Sequence, residues 1–161
     1  MQQQKYFKQA LALVAGFLTI FILNAVSRLF VFQKVKGFTN GSSTIDTTVY
    51  NSVLHTMTAL FIPIIGGIVV GYIVKKKGAY FGGALAIILK MISVGVICTL
   101  FIYPPAFYGI QLSGEAARTY ALQNLSREFI SLPFAILFMA WGGWVGEKLA
   151  QFTFLPKRTS Q

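Results

Sequence analysis

The sequence predicts an all-α integral membrane protein with four transmembrane helices and both termini inside, and three observations lead there. Only 11% of the 161 residues are charged and 55% are hydrophobic, whereas soluble domains carry about a quarter charged residues. A chain this short cannot enclose so much apolar surface, so lipid must cover the remainder. Four apolar stretches approach or meet the roughly 20 residues that a helix needs to cross the hydrocarbon core. None has the alternating pattern of a barrel strand. Lysine and arginine flank these stretches unevenly, which orients them.

The first span is read over residues 9–32. Lys5 and Lys8 precede the apolar run from Ala10 to Leu23, and small residues follow at Ala25 and Ser27, a likeness to a signal peptide. Leu29-Phe30-Val31-Phe32 extends the run, so a retained helix is preferred to a cleaved one. An outer loop follows over residues 33–54, irregular because Thr39-Asn40-Gly41-Ser42-Ser43-Thr44 is rich in turn formers. The second span covers residues 55–74. A tight inner turn at 75–78 joins it to the third span, 79–103, which Pro104-Pro105 terminates.

The second outer loop, residues 104–128, is expected to hold a short interfacial helix. Ser113 would cap it, Glu115 and Arg118 would lie along it, and Tyr120, Leu122 and Leu125 would face lipid. The fourth span, 129–145, leads into an inner tail, 146–161, and the whole forms one membrane domain. One side carries Lys5, Lys8, Lys75, Lys76, Lys77, Lys148, Lys157 and Arg158, the other Lys34, Lys36, Arg118 and Arg127. The richer side is cytoplasmic by the positive-inside rule, where anionic lipid headgroups are the expected partners. The formal charge of +10 follows these flanks and forms no basic stripe along a polar helix, so nucleic acid is not an expected partner.

Small residues let helix backbones approach closely in lipid. Gly67 and Gly71, Gly78 and Gly82, and Gly142 and Gly146 have the four-residue spacing that does this, within one chain or between chains of a homo-oligomer or larger complex. The second and fourth spans each have a proline nearer the outer end, Pro63 and Pro133, and a glycine cluster toward the inner end. This pattern fits a duplicated hairpin; the general abundance of Pro and Gly in membrane helices is the preferred explanation.

Lys90 is the most unusual position, about 18 Å along a helix from Gly78 and so near the midplane of a core about 30 Å thick. Such a lysine needs a polar partner or an aqueous cavity. The expected partners are neutral: Asn24 at a comparable depth, and the carbonyl of Ala59, which Pro63 leaves without its helical donor. Glu128 and Glu147 fall at the outer and inner boundaries of the fourth span. Lys90 therefore reads as a structural link, as the lining of a path for an anionic or protonatable substrate, or as the inner end of a span from Met91 to Ile110 with Gly78 to Leu89 re-entrant.

Arg28, His55, Arg127 and Glu128 all map to the outer boundary as a candidate polar cluster, scattered interfacial residues being the plainer reading. One cysteine, Cys98, and one histidine cannot build a disulfide or a multi-histidine metal site within one chain. No phosphate-binding glycine motif, nucleophile with its base, or paired acids occurs. No catalytic, cofactor-binding or metal-ligating residue is assigned, and no cofactor is expected. The stretch Gly66 to Gly83 resembles the glycine-rich hairpins of small bacterial membrane proteins, which implies a bacterial cytoplasmic membrane. A non-catalytic accessory, assembly or structural subunit is the first functional expectation, and a small transporter or channel using Lys90 the second.

Overall fold

The computed structural model describes residues 2–38, 47–102 and 114–153, and every described element is helical. They are α1 (Gln2–Phe38), α2 (Thr47–Thr56), a π-helical turn (Met57–Phe61), α3 (Ile62–Val74), α4 (Gly78–Ile102) and α5 (Gly114–Thr153). Four stretches are long and apolar enough to cross a membrane: Tyr6–Val31, Asn51–Val74, Gly78–Thr99 and Leu122–Thr153.

The helices extend beyond the spans expected from hydropathy. Part of the first outer loop is helical, since α1 continues to Phe38 and α2 begins at Thr47. Elongation from an established helix adds one hydrogen bond per residue fixed, so polar residues join its end readily. α5 likewise carries the segment assigned to an interfacial helix, the fourth span and the start of the inner tail in one rod. Ser113 and Pro104-Pro105 lie outside the described residues. α4 passes unbroken through Lys90.

α2, the π turn and α3 form one rod, and Pro63 explains its irregularity. Proline has no N–H to donate and its ring crowds the preceding turn. The chain widens there, and the Ile62 N–H reaches back five residues to the Met57 carbonyl. Thr58 supports the widened turn by donating its hydroxyl to the Leu54 carbonyl at 2.9 Å and the His55 carbonyl at 3.1 Å.

Glycine sets how the rods pack. α3 and α4 both lie against α5, and α1 lies chiefly on α3. A β-carbon at Gly71 or Gly78 would overlap the Gly143 carbonyl, and one at Gly67 or Gly82 the Met139 carbonyl. Gly142 stands against Ile64, Gly146 against Ile68, and Gly16 of α1 against Val70 and Leu85. Rising residue numbers on α4 meet falling ones on α5, so these two are antiparallel, whereas α3 and α5 run parallel.

The packing is uneven along the rods. Ala12, Gly16 and Ile20, the Gly66–Gly71 cluster, Gly78–Ala86 and Met139–Ala150 supply most of the buried positions. Toward the other end nothing is buried from Phe21 to Phe30 on α1, from Asn51 to Phe61, from Ile87 to Thr99 on α4, or from Leu122 to Phe138 on α5. Gly95 has no neighbouring atom within 4 Å of where its β-carbon would stand. Among the described residues, burial is concentrated near the lysine turn and sparse in the far half, where Val31 of α1 is 3% exposed.

Candidate functional site

Where the buried half gives way to the far half, two charges meet. Lys90 stands as far along α4 from Gly78 as Ser131 stands back along α5 from Gly143. The glycine contact that sets the register therefore also places Lys90 level with Ser131, and Ser93 level with Glu128. The Lys90 ammonium donates to Glu128 Oε2 at 2.5 Å and to Ser131 Oγ at 2.6 Å. Ser93 Oγ donates to Glu128 Oε1 at 3.0 Å, and Ser131 Oγ also approaches the Glu128 carbonyl at 3.1 Å.

Each helix contributes one charge and, three residues on, one hydroxyl. Residues three apart share a helix face, so lysine and serine of α4 confront serine and glutamate of α5 as a reciprocal square. Both charged side chains are 23% exposed, which places them at the rim of the seam. In hydrocarbon a lone lysine is expensive and a charge-compensated one far less so; the hydroxyls occupy further donor and acceptor positions of the pair.

This pairing corrects the expectation that Lys90 takes neutral partners. α5 runs unbroken through Glu128. Asn24 instead donates to its own helix, at the Ile20 carbonyl, 3.0 Å away. The turn before Pro63 is absorbed by the π geometry. Arg28, His55 and Arg127 are exposed, and no hydrogen bond or ion pair among the described residues joins them to one another or to Glu128. Lys90-x-x-Ser93 and Glu128-x-x-Ser131 were visible as two polar pairs in apolar helices, a signal that counting depth for single residues passes over.

A second polar contact closes the opposite end of the same seam. The Gly78 N–H, at the start of α4, donates to Glu147 Oε2 at 2.7 Å. A carboxylate satisfies an orphan amide there and complements the positive end of the helix dipole. Among the described residues, no group of three or more His, Cys, Asp or Glu side chains is placed to hold a metal ion. Cys98 is exposed in the far half.

The chain was compared with protein-family models, with characterised proteins and with solved structures, and none matched.

Proposed function

We propose that the chain is a non-catalytic membrane protein, with its termini and lysine turn on the cytoplasmic side, that works as an accessory, assembly or structural subunit or as a small oligomer. The observation that carries this reading is the compensation of Lys90 by Glu128 within one chain, which makes the intramembrane charge a fastener between α4 and α5. The glycine faces are occupied in the same way: Gly67, Gly71, Gly78, Gly82, Gly142 and Gly146 all stand against backbone of neighbouring helices of the same chain. Partner helices therefore have the far half to dock on, along α4 beyond Ile87 and α5 before Met139, in place of the glycine stripes.

Affinity purification in mild detergent tests the proposal. A stable partner or homo-oligomer is expected, and a well-behaved monomer without partners counts against it. Cys98, exposed on the far half of α4, adds a second arm. Oxidative crosslinking between copies is expected if the occupant is a second chain, and Cys98→Ser removes the crosslink. Protease digestion of a C-terminal tag in right-side-out vesicles would overturn the orientation.

A small transporter is the second reading, favoured by the exposure that the charged pair retains at the rim of the seam. It requires flux in liposomes that Lys90→Met abolishes while the protein stays folded. Flux that persists in that variant removes it.

A further inference from the structure

Toward the far half the buried faces of the helices continue, but what they carry changes. Ala12, Gly16 and Ile20 of α1 lead on to Asn24 and Ser27, and Ile62 leads back to Thr58 in the π turn. The buried face of α4 runs on through Lys90 and Ser93, and that of α5 runs back through Ser131 to Glu128. All of these polar side chains are half-buried, and among the described residues no polar or charged side chain is fully buried. The exposed positions around them are mostly large and apolar, among them Phe21, Val26, Met91, Val96 and Phe134. Apolar groups thus face lipid while polar ones face the bundle.

The hydrogens of this inner face are spent on its own helices. Asn24 Nδ2 donates to the Ile20 carbonyl at 3.0 Å, Ser27 Oγ to the Asn24 carbonyl at 3.0 Å, and Thr58 Oγ1 to the Leu54 carbonyl at 2.9 Å. A hydroxyl has one hydrogen and two lone pairs, so these groups offer the interior oxygens that accept. The π turn adds backbone acceptors. Pro63 has no N–H for the Ala59 carbonyl, and the Ile62 N–H, which an unbroken α-helix would give to Thr58, goes to Met57. Lys90 commits two of its three N–H groups among the described residues. Acyl chains satisfy none of these groups, whereas water both donates and accepts.

The polar face stops at the charged pair. On its lysine-turn side Leu85, Ala86, Val70 and Met139 are at most 2% exposed, and the glycine backbones meet without room for a β-carbon.

We propose that the far half holds a water-filled vestibule, entered from the face opposite the lysine turn, floored by Lys90 and Glu128, and stopped there by the glycine seam. Charged groups within membrane spans characteristically face such cavities. The vestibule gives small hydrophilic solutes access to the charged pair from one face only. It goes beyond both readings of function, since it needs neither a partner helix, which would dock on the apolar outer faces, nor a transported substrate.

The test uses the full chain in sealed liposomes, with Cys98→Ser as the background and single cysteines introduced one at a time. Ser27→Cys, Thr58→Cys and Val94→Cys report the inner face, Val26→Cys and Val96→Cys the lipid face, and Ala86→Cys the seam. Each variant is matched to the background by its unfolding midpoint. The probe is trimethylammonioethyl methanethiosulfonate, which does not cross membranes, added from either face. Only the thiolate reacts and it forms in water, so the inner-face positions should label at least about tenfold faster than the lipid-face positions. They should do so only from the face opposite the lysine turn, and Ala86→Cys should not label from either.

Equal rates at inner-face and lipid-face positions would overturn the proposal and show lipid or a helix in the space. Equal labelling of the inner face from both sides would also overturn it, in favour of a continuous path. The unsubstituted chain supplies an independent measurement. Magnetisation transferred from water in solid-state NMR should reach Asn24, Thr58 and Ser93 and not Val26 or Val96, and its absence from the first three would remove the vestibule. Absent flux in liposomes bears on the transporter reading alone.

Discussion

Replacing Glu128 with leucine removes the carboxylate facing Lys90 and leaves the ammonium with the Ser131 hydroxyl. An unpaired lysine at the centre of a membrane helix costs about 2.5–3.5 kcal/mol on insertion scales. Its 23% exposure lets the side chain tilt toward the headgroups, so a loss of about 2 kcal/mol is expected. Lys90→Met leaves the carboxylate with Ser93, and a similar loss of about 2 kcal/mol follows. The double variant Lys90→Met/Glu128→Leu has no charge to bury, and apolar replacement of a buried pair is often close to neutral. It forfeits two interhelical hydroxyl bonds worth about 0.6 kcal/mol each, and should lose only about 1 kcal/mol in all. The coupling energy is then about 3 kcal/mol. Reversible unfolding in mixed micelles, followed by fluorescence of Trp141 and Trp144, measures all three variants. Losses that simply add, with the double near 4 kcal/mol, would refute the pairing.

The same assay checks the glycine seam. Gly143→Ala forces a β-carbon onto the Gly78 carbonyl and should cost about 1–3 kcal/mol, the usual range for overpacking. Gly95→Ala meets nothing within 4 Å and should be neutral or stabilising by up to about 1 kcal/mol, from helix propensity. Glu147→Ala leaves the Gly78 N–H without its carboxylate acceptor; a loss of about 1–2 kcal/mol is expected, with faster hydrogen exchange in the first turn of α4.

The architecture was legible in the sequence because its signal is coarse. About 20 apolar residues admit few alternatives to a spanning helix, and the Lys75-Lys76-Lys77 turn between two such runs forces an antiparallel pair. The polar square was half legible. Lys90 was conspicuous, but a search for one partner at one depth treated Glu128 as a boundary marker. Hydropathy reads each helix alone, so a carboxylate at the edge of an apolar run looks like its end. Only the register between two helices reveals that this carboxylate faces a lysine on the neighbour. That register depends on Gly78 meeting Gly143, and Gly143 belonged to neither side of the Gly142 and Gly146 spacing. The Glu147 contact was hidden for the same reason, since nothing local to Gly78 provides its cap.

Register also decides what the likeness of α3 and α5 means. Each has two adjacent glycines, and neighbouring positions on a helix point about 100° apart, so each pair serves two partners. On α3, Gly66 meets α1 and Gly67 meets α5; on α5, Gly142 meets α3 and Gly143 meets α4. A hairpin duplicated about an axis along the membrane normal would keep the same order on both helices. The first glycine of each pair would face its hairpin partner, and the second would face the opposite copy. The observed order is reversed on α5. The prolines disagree as well, since Pro63 stands three residues before Gly66 while Pro133 stands nine before Gly142. Three helices that must approach within backbone contact are each obliged to place glycine at the crossing. That packing demand accounts for the resemblance without common ancestry of the two hairpins.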